Sequence, residues 1–127
     1  MANRTNYSSG SEFEKKAAYS RAVRFGSTIY VSGTTGYDYS TMNISTDVVE
    51  QCRQCFLNIE EALRSVGASL EDVVKVTYIL PNKNDFEPCW PVLREFLGDV
   101  SPAATMLQAG LLKEEMKIEI EVTAQMS

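Results

Sequence analysis

The chain contains no histidine, which removes Ser-His-Asp and Cys-His nucleophile systems, HExxH zinc sites and imidazole bases. Chemistry must therefore fall to carboxylates, hydroxyls, thiols, lysine, arginine or backbone groups. Cys52-Arg53-Gln54-Cys55 has the spacing of a redox pair. Such a pair needs its first thiol at a helix N-terminus, where the dipole stabilises thiolate. Here both cysteines fall on an apolar stripe inside a helical pattern, so they read as packing. Cys89, between Pro88 and Trp90, reads as a modestly buried structural thiol, with a reactive thiol as the alternative. Glu119 and Glu121, two apart on a strand-like run, share one face. They form either a charged solvent or interface edge or, in a partly buried cleft, a candidate acid/base. Gly33-Thr34-Thr35-Gly36 lacks the lysine of a P-loop and the spacing of a dinucleotide fingerprint. It reads first as a turn and second as a ligand loop.

These residues need a scaffold, and composition bounds it. A chain of 127 residues, 44% hydrophobic and 23% charged, has enough apolar material for one core and too little for two, so residues 1–127 are read as a single domain. The formal charge of −5, without a basic cluster, argues against a nucleic-acid partner. No apolar run approaches membrane-spanning length, and the N-terminus opens onto a polar stretch without a signal-peptide core. A soluble, cytoplasmic protein with no membrane partner is the expectation. Three cysteines, an odd number, argue against a disulfide framework.

Periodicity supplies the elements. Residues 1–16 show little pattern and read as a partly ordered entry segment. Ala18 to Val31 reads as a β-hairpin turning at Gly26-Ser27, and Ser32 to Gly36 as a backbone turn or close approach to a ligand. From Asp47 to Val66, Val48, Cys52, Cys55, Phe56, Ile59 and Leu63 recur at helical spacing; Thr46 or Asp47 can cap the start, and Gly67 can end the helix. Val73 to Leu80 reads as a strand with Val74, Val76, Tyr78 and Leu80 on its core face. Asn84 can cap a second helix reaching Leu97, irregular in its first turn because of Pro88 and Pro91. Thr105 to Leu111 reads as a short strand, and Met116 to Ala124 alternates cleanly. Together these predict an α+β domain, a mixed sheet with two helices on one face. The other face mixes Lys75, Thr77, Glu119 and Glu121 with apolar Val73 and Ile79, as a face half buried against another subunit would; a solvated face is the alternative.

Tyr19-Ser20-Arg21-Ala22-Val23, Ile29-Tyr30-Val31-Ser32-Gly33, Asn84-Asp85-Phe86, Arg94-Glu95-Phe96, Pro102-Ala103 and Lys117-Ile118-Glu119-Ile120-Glu121 occur in that order. This ordered set, spanning about residues 17–125, resembles the RidA/YjgF family, also called the endoribonuclease L-PSP family. The resemblance implies a chorismate-mutase-like subunit and a homotrimer with small-molecule clefts between subunits. It implies no metal and no cofactor. In the family's deaminase branch, imines and enamines are hydrolysed to 2-keto acids and ammonia, with an arginine holding the substrate carboxylate. By the same resemblance Tyr19, Ser32 and Gly33 match cleft positions, and Glu119 matches the acidic residue that orients water.

The arginine itself does not carry over: Ala104 stands where it should follow Pro102-Ala103. Met106 replaces a frequent cysteine and Trp90 a frequent asparagine, while backbone donors around Ala104, Thr105 and Met106 survive these changes. A guanidinium–carboxylate pair about 4 Å apart is worth up to roughly 4 kcal/mol at an effective dielectric near 20, and Glu119 would repel a bound carboxylate comparably. The expected ligand is therefore neutral or cationic, with Trp90 and Tyr19 as aromatic walls, unless Arg21 or Arg94 reaches the cleft. Three functions follow: a hydrolase or deaminase relative using Glu119 on an imine, enamine, amide or related metabolite, a non-catalytic binding or regulatory trimer, and, least supported, a ribonuclease.

Overall fold

A computed structural model of the chain describes residues 3–127. Order begins earlier than the periodicity suggests. Arg4–Tyr7 forms an edge strand, β1, and Glu12–Lys16 a short helix, α1, whose Ser11 cap accepts from the Phe13 N–H. β1 pairs antiparallel with Ala22–Phe25 (β2). β2 turns at Gly26-Ser27 into Thr28–Thr35 (β3), with Gly26 at φ +63°, a value glycine adopts without steric cost.

The stretch expected to turn at Ser32 to Gly36 instead stays in β3 as far as Thr35, with a register irregularity between Val31 and Thr34 against the last strand. The irregularity supplies the local bend that the glycines suggest in sequence. Two short strands, Tyr37–Asp38 (β4) and Asn43–Ile44 (β5), then pair with each other. The long helix α2 runs Val48–Ser65, with Asp47 accepting from the Val49 N–H at 3.4 Å. Its stripe of Cys52, Cys55, Phe56, Ile59 and Leu63 is fully buried. Each large apolar side chain so buried contributes about 1.5–3 kcal/mol.

Val73–Leu80 forms β6. Val74 does not face the core as expected: it is 49% exposed, because the register slips between Val73 and Lys75 opposite the last strand and Val73 takes the inward position. The prolines act as predicted on the next segment. Two short 3₁₀ turns, Lys83–Asp85 capped by Asn82 and Glu87–Cys89, precede the regular helix α3, Trp90–Leu97. Ala103–Gln108 (β7) runs parallel to β6 at the sheet edge and is exposed throughout, and Glu119–Gln125 (β8) completes the sheet. The strand order is β1-β2-β3-β8-β6-β7. One face of this mixed sheet packs Ile29, Val31, Val76, Tyr78, Ile120 and Val122 against the two main helices. The opposite face exposes Tyr30 beside Lys75, Thr77 and Glu121, and continues at the edge with Leu107 in register with Ile79. Among the described residues no helix is long and apolar enough to cross a membrane.

Candidate functional site

Glu119 opens β8, opposite Thr35 of β3. Its carboxylate lies directly over Gly33, so close that a β-carbon there would overlap Oε2. The absent side chain thus makes room for the carboxylate. Gly33 and Glu119 form part of the wall of a cavity of about 570 Å³, with Tyr19, Arg21, Tyr39, Phe13, Met116 and Lys113 among its other walls. Burial pushes the Glu119 carboxyl upward, the Arg21 charge pulls it down and Glu121 pushes it up again, leaving it raised. No hydrogen bond stabilises its charged form among the described residues.

Beside it lies a fully buried pair that the sequence does not announce. Arg21, 1% exposed, donates from Nε to Glu14 Oε2 at 3.2 Å. Its Nη1 donates to the Gly33 carbonyl at 2.7 Å and to Thr34 Oγ1 at 3.2 Å; Nη2 reaches the Tyr19 hydroxyl at 3.4 Å. The guanidinium also sits 4.7 Å from the Tyr39 ring centroid, at cation–π distance. Glu14 accepts from Ser8 Oγ at 2.8 Å, from the Ser9 N–H at 3.0 Å and from Ser9 Oγ. Burial alone would raise the Glu14 carboxyl, but the hydroxyls of Ser9 and Ser8, the Ser9 N–H and Arg21 outweigh it, and the value is lowered. This network fastens α1, and with it Phe13, as one side of the cavity.

The sequence candidates therefore divide into two groups. Tyr19, Gly33 and Glu119 line one cavity, while Ala104 and Met106 line a separate groove of about 300 Å³ with Tyr78, Arg94, Ser101 and Pro102. β8 and β7 are separated by β6, so the chain by itself does not bring Glu119 and Ala104 together. Arg21 reaches the Glu119 cavity with its charge already countered by Glu14, and Arg94 reaches the Ala104 groove. Ser32 donates its hydroxyl to the Ser20 carbonyl at 2.6 Å, bracing the backbone. Thr105 accepts from Lys75 Nζ at 3.0 Å. Trp90 is 43% exposed at the start of α3, edge-on to Phe86.

All three cysteines are free and buried. Hydrogen bonding to Cys89 and burial push Cys52 far up, and burial pushes Cys55 up, so the Cys-x-x-Cys spacing serves packing. Among the described residues no group of three or more acidic or cysteine side chains converges to hold a metal ion. Glu14, Phe13, Tyr39 and Lys113 escape sequence reasoning; the only signal for them is a polar, unpatterned N-terminus and a charged loop.

The family model described as Endoribonuclease L-PSP matches residues 9–126. The chain is 37% identical over 107 residues to a RutC family protein of Pyrococcus abyssi, covering 84% of each. It is 34% identical over 104 residues to the 2-iminobutanoate/2-iminopropanoate deaminase of Dermatophagoides farinae, covering 81% of each. The crystal structure of a Mycobacterium tuberculosis member of the YjgF/YER057c/UK114 family superposes with a TM-score of 0.89 at 35% identity, covering 97% of this chain and 99% of that one.

Proposed function

This chain belongs to the RidA/YjgF family, and on that premise we propose that it is a cytoplasmic homotrimer of chorismate-mutase-like fold whose intersubunit clefts bind and hydrolyse a small imine, enamine or related metabolite. The observation that carries the reading is Glu119: a carboxylate with a raised pKa, without a hydrogen-bond partner among the described residues, held over Gly33 inside a cavity. Such a group is placed to take a proton from water. The water oxygen then adds to the imine carbon and the nitrogen gains a proton. Collapse breaks the C–N bond, giving a carbonyl product and ammonia. No electron transfer and no cofactor are needed.

Deaminase-named relatives support this reaction class, and the half-apolar open sheet face supports association. In a trimer the Ala104 groove of one subunit would complete the Glu119 cavity of another. Ala104 brings no cation of its own to that junction, where Arg94 lines the same groove, so short 2-imino acids lose the anchor that would follow Pro102-Ala103. The same residue favours a second reading, a trimer that binds a ligand without turnover.

Ammonia release from a panel of imines and enamines, with and without short α-carboxylates, separates the two. The hydrolase reading expects turnover by the parent and at least about a hundredfold loss in Glu119→Gln with ligand binding retained. No turnover of any panel member supports the binding trimer, and efficient hydrolysis of 2-iminopropanoate or 2-iminobutanoate removes the role assigned to Ala104.

A further inference from the structure

We infer that Lys113 is an anion-binding residue of the Glu119 cavity, which therefore takes a dipolar ligand: an ammonium or iminium end at Glu119, a carboxylate end at Lys113, and an apolar or aromatic body between them. This rests on the Glu119 cavity being the ligand site, and not on turnover there.

The charges on the cavity walls are few, and most of them are paired. Glu119 is an acid with no ion-pair partner among the described residues, and it lies on the same cavity as four other charged side chains, Glu12, Lys16, Arg21 and Lys113. Arg21 is neutralised by Glu14, with both side chains 2% exposed. Its Nε and Nη1 hydrogens are already directed at Glu14, Gly33 and Thr34. Lys16 and Glu12 pair with each other at 3.9 Å. Lys113 remains: among the described residues no carboxylate lies within ion-pair distance of it, and the neighbouring Glu115, whose carboxyl the Lys113 charge helps to hold down from farther off, is bonded to the Tyr37 hydroxyl at 2.7 Å. The Lys113 ammonium instead stands 5.6 Å from the Phe13 ring centroid, on the cavity wall. One unpaired anion and one unpaired cation thus face the same space.

What lies around them is apolar and aromatic: Phe13, Tyr19, Tyr39, Met42, Leu112 and Met116. A volume of about 570 Å³ accommodates an aromatic amino acid or its imine. Lys113 also changes the meaning of Ala104. The carboxylate anchor need not follow Pro102-Ala103, because a cation lines the same cavity as Glu119 from the loop before β8. A ligand anchored there holds its anion away from the Glu119 carboxylate that would otherwise repel it.

L-phenylalanine and 2-phenylethylamine both carry an ammonium and a phenyl ring at neutral pH and differ by the carboxylate. Calorimetric titration of both at low ionic strength tests the inference. The parent should bind phenylalanine roughly tenfold more tightly than the amine. Lys113→Met should erase that preference, Lys113→Arg restore it, and Lys16→Met leave it intact. Lys113 is exposed on a loop, so these variants keep the fold. No preference in the parent, no binding of either probe, or a preference that survives Lys113→Met but disappears in Arg94→Met overturns the inference; the last outcome places the anion in the Ala104 groove. Ammonia release is scored separately. A Lys113-dependent preference without turnover leaves this inference standing and removes only the hydrolase reading.

Discussion

Glu14 and Glu119 are two carboxylates beside the same arginine, and their environments drive them in opposite directions. Glu14 is buried, yet two serine hydroxyls, a backbone N–H and the Arg21 guanidinium hold it ionised with a lowered pKa. Glu119 is less buried and feels the same arginine, but none of the described residues donates a hydrogen bond to it and its pKa is raised. Proximity to a cation therefore does not separate structural from reactive acid here. The number of hydrogen-bond donors aimed at each oxygen does. Glu14 has every lone pair engaged and is available to nothing else, whereas Glu119 is open to water or a ligand.

The largest test of that contrast removes the structural acid. Glu14→Ala leaves Arg21 buried and unpaired, and removing one partner of such a pair costs about 3–5 kcal/mol. The urea midpoint should fall accordingly. Because the network fastens α1 against the cavity, Phe13 should also lose its protection from solvent. A loss below about 1 kcal/mol would show that the pair is an incidental contact. The mirror substitution, Glu119→Gln, should do the reverse: stability unchanged or improved, and turnover lower by about a hundredfold, which is near 2.7 kcal/mol of transition-state stabilisation. Equal losses of stability in the two variants would erase the distinction.

A smaller effect is expected from Gly33→Ala. The added methyl collides with the free end of Glu119, which can swing aside, so the protein should fold with a loss of about 1 kcal/mol while turnover falls roughly tenfold. An alanine variant with full activity would mean that the carboxylate works from another position.

How much of this the sequence discloses depends on how local the cause is. α2, β6 and β8 are legible because burial of one face imprints a period of 3.6 or 2 on Cys52, Phe56 and Ile59 or on Ile118, Ile120 and Val122. Asp47 and the prolines at 88 and 91 act on their own neighbours, and the capped start of α2 and the broken entry to α3 follow. The misplacements are non-local. Val74 turns outward because of a register slip against another strand, and Gly33 stays in β3 because Val31 and Thr34 on either side of it pair with β8. For the site, Glu119 and Gly33 are readable through an ordered family motif. The Glu14–Arg21 pair is not, since its members are seven residues apart across a helix end and only the fold makes them meet. Lys113 is hidden for the same reason, on a loop whose position is set by Gln51, which accepts from the Lys117 N–H and donates to the Glu115 carbonyl.

The subtlest expected difference between the two acids lies in how stability follows pH. Glu14 has a folded pKa below its ordinary value, so its contribution is complete above that ordinary value and is lost as pH falls through the lowered one. Glu119 has a folded pKa above its ordinary value. Its contribution is present below the ordinary value and is lost as pH rises through the raised one. Urea midpoints measured across pH should therefore rise as the protein is brought from neutral to mildly acidic conditions and fall again in stronger acid. Glu119→Gln should flatten the first limb and leave the second, and Glu14→Gln should make the second shallower, its remainder coming from Asp38, Glu95 and Glu115, whose carboxyls are also held down, and leave the first. A single substitution that flattened both limbs would show that the two carboxylates titrate as one coupled unit through Arg21, and the division between a structural and a reactive acid would fail at its physical root.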